Sequence, residues 1–166
     1  MKINWPWAKP KDNYLVLLAS IVIAQAAGGI GSLFTFSAIP SWYAFLNKPF
    51  FSPPNWLFGP VWTLLYTFMG ISAYLVWRRL QFSKKSHAFW HVYGTQLILN
   101  TLWSILFFGF KFVGAAFIEI IAMWYFIVRS IQEGKKIDPW AAYLLYPYLA
   151  WVSFASLLNL AILVLN

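Results

Sequence analysis

The sequence predicts an all-α integral membrane protein, one domain built as a bundle of five transmembrane helices. Three observations predict it. Of the 166 residues, 61% are hydrophobic and only 10% charged, whereas soluble domains carry about 25% charged residues. Five apolar stretches approach or exceed the roughly 17–25 residues that a bilayer crossing needs. The basic residues collect in alternate connections, as the positive-inside rule requires.

The first stretch, residues 14–33, carries no charge. It follows the segment MKINWPWAKPKD and is too long for the core of a cleavable leader, and no small-residue cleavage site stands out. It is read as a retained helix. The second, 55–77, is uncharged and stops at Arg78 and Arg79. The third, 90–110, holds His91 near its start, and the fourth, 112–128, holds one acid, Glu119. The turn between them, near Gly109, is too short for anything but an antiparallel hairpin. The fifth, 140–163, is uncharged.

Lys2, Lys9, Lys11, Arg78, Arg79, Lys84, Lys85, Arg129, Lys135 and Lys136 fall on one face, which leaves Lys48 and Lys111 for the other. This asymmetry predicts a cytoplasmic N-terminus and an outer C-terminus, with a bacterial inner membrane as the expected host. The net charge of +8 is dispersed between apolar runs rather than drawn into the Lys/Arg arrays that track phosphates, so nucleic acid is not an expected partner. The absence of cysteine excludes disulfides and thiolate chemistry.

The first connection, 34–54, is aromatic and proline-rich, unlike a linker. A connection of that length in a small bundle is usually a lid or binding loop. It is predicted to cap a pocket at the outer mouth, with a short helix over 41–46 capped by Ser41.

Polar side chains inside a span need partners or a cavity. Gln25, Gln96, Asn100, Glu119 and Asn159 qualify. Helical spacing puts Gln96, Asn100, Trp103 and Phe107 on one face of the third span, and Trp62, Tyr66, Met69 and Ala73 on one face of the second. The fourth repeats this with Ala115, Glu119, Ala122 and Phe126. The fifth does so with Tyr148, Trp151, Ala155 and Leu158, Asn159 alongside. Such stripes also serve plain helix packing. Packed membrane interfaces prefer small residues, however, as Ala24, Gly28 and Ser32 show on the first span. Inward indoles leave volume to fill, which predicts an apolar pocket with a few orienting polar groups. Glu119 is expected to be neutral or hydrogen-bonded to a neighbouring helix. His87 and His91 share a helical face at the membrane edge with no third metal ligand nearby, and no nucleophile motif or phosphate loop is present.

The run Trp42-Tyr43-x-x-Leu46-x-Lys48-Pro49, continuing through Pro53-Pro54-x-Trp56-x-Phe58-Gly59-Pro60-Val61-Trp62-Thr63 to Tyr66, Met69-Gly70 and Tyr74, closely resembles the TspO/MBR family. Gln96-x-x-x-Asn100-x-x-Trp103-Ser104, Phe107-Phe108-Gly109 and Leu145-Tyr146-Pro147-Tyr148-x-x-Trp151-x-x-Phe154-Ala155-x-x-Leu158-Asn159 extend the likeness over nearly the whole chain. The resemblance implies a five-helix bundle, commonly a homodimer, with a pocket beneath the first loop. Porphyrins, and in some members sterols or benzodiazepine-type molecules, are its associated ligands, and no resident cofactor is required. Position by position it implies pocket tryptophans at Trp62 and Trp151, Trp42 in the lid, and Asn100, Trp103, Glu119 and Ala155 along the cavity. Two departures stand out. Phe51 replaces a tryptophan common in relatives, and residues 160–166 lack the Tyr and basic residue of the sterol motif in animal members.

Four functions follow as expectations: a membrane receptor or sensor that binds porphyrins, a light- and oxygen-dependent porphyrin degrader using Trp62 and Trp151, a transporter, and a ligand-free packing protein. Transport is disfavoured by the lack of paired intramembrane charges.

Overall fold

Helix α1, Tyr14–Ser41, starts where the Asn13 side chain accepts the backbone N–H of Leu15 and Val16. It belongs to a computed structural model that describes residues 12–166, so Lys2, Lys9 and Lys11 lie outside the described residues. The 28 residues of α1 extend about 42 Å, beyond the roughly 30 Å hydrocarbon layer. The expected end near residue 33 is therefore corrected. Residues 34–39 contain no breaker, and hydroxyls from there to the end of the helix turn back onto it: Thr35 donates to Gly31 O at 3.2 Å and Ser41 to Ser37 O at 2.6 Å. Pro40 sits in the last turn, and the helix ends just after it. The connection thus shrinks to 42–54. Ser41 caps nothing, and the predicted short helix is a single 3₁₀ turn, Tyr43–Phe45.

A further 3₁₀ turn, Asn55–Leu57, leads into α2, Phe58–Leu80, which Gln81 closes with φ +51°. Helix α3, His87–Ser104, runs into a π-helical turn, Ile105–Gly109, in which Phe110 N–H reaches Ile105 O at 2.8 Å. That wider turn lets the consecutive Phe107 and Phe108 both be buried. Helix α4, Val113–Ile137, ends at Asp138, whose carboxylate accepts the Trp140 N–H and starts α5, Pro139–Tyr143. After a break at Leu144 and Leu145 comes α6, Tyr146–Leu165. Five segments are long and apolar enough to cross a membrane, α5 and α6 counting as one, and no strand occurs among the described residues.

Helix α1 packs against α2 and α3, and α4 against α3, α5 and α6. Near the basic end α1 and α2 touch: a Cβ on Gly70 would lie 2.5 Å from Ile21 Cα. Farther along, α1 follows α3. Thr101 donates to Ala27 O at 3.0 Å, and Cβ atoms on Gly31 and Gly109 would approach Ser104 and Phe34 to 3.0 and 2.9 Å. The half of the bundle at the basic end is packed with the buried side chains of Met69, Val76, Phe89, Met123, Ile127, Tyr148 and Val152.

Three of the four acidic residues pair with the basic end, Asp12 with Arg78 at 3.3 Å, Asp138 with Arg79 at 3.1 Å, and Glu133 with Lys136 at 2.7 Å. At the opposite end three hydrogen bonds tie Asn47 to the end of α6. Asn47 N–H donates to Asn166 Oδ1 at 2.9 Å, Asn166 Nδ2 to Asn47 O at 3.0 Å, and Asn47 Nδ2 to Leu165 O at 3.2 Å.

Candidate functional site

The half of the bundle away from the basic end is hollow. A cavity of about 460 Å³ lies between α1, α2, the end of α3 and α6, with Tyr43 of the connecting segment on its wall. Its volume falls in the roughly 300–1,000 Å³ range of small-molecule pockets. Aromatic side chains keep α2 and α6 apart: Phe58 meets Trp151 edge-on at 6.1 Å, and Trp62 meets Tyr148 at 6.1 Å. Trp62 stacks on Tyr66 with centroids 5.5 Å apart, and Trp103 on Phe107 at 5.0 Å.

Hydrogen bonds fix these rings. Tyr66 Oη donates to Asn100 Oδ1, and Asn100 Nδ2 donates to Tyr148 Oη at 3.0 Å, which links α2, α3 and α6. Trp103 Nε1 donates to Asn159 Oδ1 at 3.1 Å, while Asn159 Nδ2 donates to Val113 O at 3.0 Å. Trp151 Nε1 is buried without an acceptor, and Trp151 is a residue of the cavity wall. On α1, Gln25 Nε2 donates to Thr63 O at 2.9 Å and Thr67 Oγ1 at 3.0 Å.

Six of the ten sequence-derived site residues line the cavity: Trp62, Tyr66, Trp103, Phe107, Trp151 and Ala155. The other four stand behind the wall. Trp42 packs edge-on against Phe107 at 5.5 Å, and its neighbour Tyr43 takes the place on the cavity side. Burial pushes the Tyr43 phenol above its ordinary range, partly offset by the Ser52 hydroxyl. Asn100 and Tyr148 are buried as the hydrogen-bonded support of Tyr66. Glu119 is buried, and neither of its oxygens has a hydrogen-bond partner, so the expected bond to a neighbouring helix is not formed.

The converging faces also need correction. On α4 the residues turned inward are Ala116, Ile120, Met123 and Ile127, together with Glu119, whereas Ala115 and Ala122 are exposed. No α4 residue lines the cavity. Sequence reasoning missed α1 as its replacement. Gln25, Gly28, Ser32, Thr35 and Ile39 form that wall, and the small-residue run assigned to helix packing faces inward, with Gly28 beneath the Tyr66 ring. The signal was Gln25, a polar residue on the same side of the helix as Gly28 and Ser32. Lys48 is already engaged, its Nζ donating to Tyr43 O at 2.8 Å and lying 4.8 Å from the Tyr43 ring centroid. His87 and His91 contact each other at 3.0 Å, and no group of three or more metal-binding side chains forms among the described residues.

The sequence profile of the TspO/MBR family matches residues 20–165. The chain is 45% identical to a tryptophan-rich protein TspO of Archaeoglobus fulgidus over 160 residues, covering 93% of this chain and 99% of that one. It is 42% identical to a translocator protein of Ovis aries over 119 residues, 71% of this chain and 70% of the relative. A tryptophan-rich sensory protein of Cereibacter sphaeroides is 39% identical over 125 residues, 75% and 77% of the two chains. With five apolar helices around an indole-lined hollow and a profile match over almost its full length, the chain is an integral membrane protein and belongs to the TspO/MBR family.

Proposed function

We propose that this protein is a membrane receptor or sensor that binds a flat apolar ligand of the porphyrin class, such as protoporphyrin IX. The observation that carries the reading is the hollow between α1, α2 and α6, where Trp62, Trp103 and Trp151 stand with Phe58 and Tyr66 along one shared space. Ring faces and edges of this kind suit a flat π system at about 0.5–1.5 kcal/mol per aromatic contact. The rim carries Asn55 and Trp56, which suit the polar edge of such a ligand better than Lys48, held by its own loop. The segment 42–54 acts as the cap. The protein sits in a bacterial-type inner membrane with its N-terminus in the cytoplasm, and it works as a homodimer. Pairing uses lipid-facing surfaces, because Ala24, Gly28 and Gly31 are already covered within the chain.

Titration of the purified protein with protoporphyrin IX in the dark, followed by tryptophan quenching, tests the reading. Saturation at one ligand per chain is expected, weakened about 3- to 10-fold by Trp62→Phe or Trp151→Phe. Absence of quenching at micromolar ligand refutes it. A second reading, porphyrin photo-oxidation by dioxygen, draws on the Trp62–Tyr66 stack, which places a phenol beside the indole as a further electron donor. It requires light-dependent loss of the Soret band beyond that of free porphyrin, abolished by Trp62→Phe.

A further inference from the structure

We propose that the cavity is loaded sideways from the bilayer, through the gap between α1 and α2 in the leaflet opposite the basic end. This rests on the reading that the cavity holds a ligand, and it specifies the ligand as one dissolved in lipid rather than delivered from water.

The path of α1 creates the gap. The helix touches α2 at Ile21 and Gly70 and meets the Tyr66 ring at Gly28, then leans toward α3, where Gly31 meets Ser104 and Gly109 meets Phe34. The Gln25 hydrogen bonds to Thr63 and Thr67 close the bottom of the resulting wedge. Above them, Gly29 and Phe36 on α1 and Gly59 and Thr63 on α2 line the cavity and are exposed as well, so the wall is open there. A Cβ added to Gly29 or Gly59 would meet nothing within 4 Å.

The depth of the gap is set by helix geometry. Thr63 lies fifteen residues before Arg78, about 22 Å along the axis, which is past the midplane of a roughly 30 Å hydrocarbon layer but still inside it. The flanking Ile30, Leu33 and Leu64 are exposed apolar side chains. The mouth therefore faces acyl chains. The route over the top between the connection and α6 is obstructed by the Asn47–Asn166 tie and by Tyr43, which is 2% exposed, while the exposed cavity-lining Asn55 and Trp56 carry the same opening beside α2 toward the headgroup level. A ligand taking the side route carries an apolar body into the wedge and keeps any charged edge at the headgroup level.

The chain has no cysteine, so a Ser32→Cys variant in lipid nanodiscs places one thiol on the cavity wall. An apolar pyrene maleimide dissolved in the lipid is expected to label it, and a sulfonated, water-soluble maleimide is not. Adding Gly29→Phe should slow apolar labelling about tenfold, a barrier increase of about 1.4 kcal/mol. Gly59→Phe gives the same readout should the first variant fail to fold. Loosening the top with Asn47→Ala should leave the rate unchanged. Labelling by the sulfonated reagent at a comparable rate, acceleration by Asn47→Ala with no effect of the Phe variants, or no labelling by either reagent overturns the side route. None of these readouts requires porphyrin, so failure of protoporphyrin IX to bind would remove the proposed ligand class and leave the route decided by labelling alone.

Discussion

Replacing Asn100 by alanine withdraws a side chain that joins α2, α3 and α6 behind the cavity wall. Asn100 is 2% exposed, accepts from Tyr66 Oη, and donates to Tyr148 Oη at 3.0 Å. After the change both phenols remain buried, and Tyr148 keeps only a 3.5 Å contact with Met123 Sδ, a weak acceptor. Interhelical hydrogen bonds in membranes contribute about 0.6–2 kcal/mol each, and an orphaned buried hydroxyl costs about 1–3 kcal/mol. We expect Asn100→Ala to destabilise by about 2–4 kcal/mol, and Tyr66→Phe or Tyr148→Phe by about 1 kcal/mol each. Because the two phenols share one partner, the Tyr66→Phe/Tyr148→Phe pair should couple by about 0.5 kcal/mol or more in a double-mutant cycle. Reversible unfolding in mixed micelles with increasing dodecyl sulfate, followed by circular dichroism, measures both quantities. An Asn100→Ala cost below about 0.5 kcal/mol, or strict additivity of the tyrosine variants, would refute the clamp. Protoporphyrin titration of Asn100→Ala provides the functional reading, since Tyr66 loses what orients its ring against Trp62.

Four further outcomes follow from the packing. Gly70→Ala places a methyl 2.5 Å from the Ile21 backbone and should cost about 1–3 kcal/mol by prising α1 from α2. Gly94→Ala, with open space around it, should be neutral or gain up to about 1 kcal/mol in the same unfolding assay. Asp138→Ala removes both the partner of Arg79 and the cap of α5. The expected loss is about 1–3 kcal/mol, held down because the Arg79 side chain is 37% exposed and its charge is screened by water. Glu119→Met removes two buried oxygens that have no partner and should stabilise the protein by about 1–3 kcal/mol. Destabilisation on that change would show that the carboxyl makes a bond in the membrane.

The five spans were legible because the bilayer imposes length and apolarity on each helix separately, and neither property depends on a neighbour. Periodicity likewise identified the inward faces of α2, α3 and α6, since Trp62, Tyr66, Trp103, Trp151 and Ala155 are carried by regular helix over one or two turns. Residues 34–41 misled because serine, threonine and a nearby proline resemble a loop, while their hydroxyls in fact close onto the preceding turn. Helical spacing and the family resemblance both pointed to Asn100 and Glu119 as cavity residues, and the resemblance alone to Trp42. Packing put each of them behind the wall.

What the sequence determined by itself is the membrane-spanning class, the number of spans, the clustering of basic residues and the aromatic character of the site. Only the tertiary structure decided that α1 rather than α4 completes the wall, and that the hollow opens between α1 and α2. Those outcomes depend on where one helix crosses another. That crossing is set by close approach at Ile21 and Gly70, and by Gly31 and Gly109 against α3 and α1, contacts between residues far apart in the chain that no single helix's periodicity encodes.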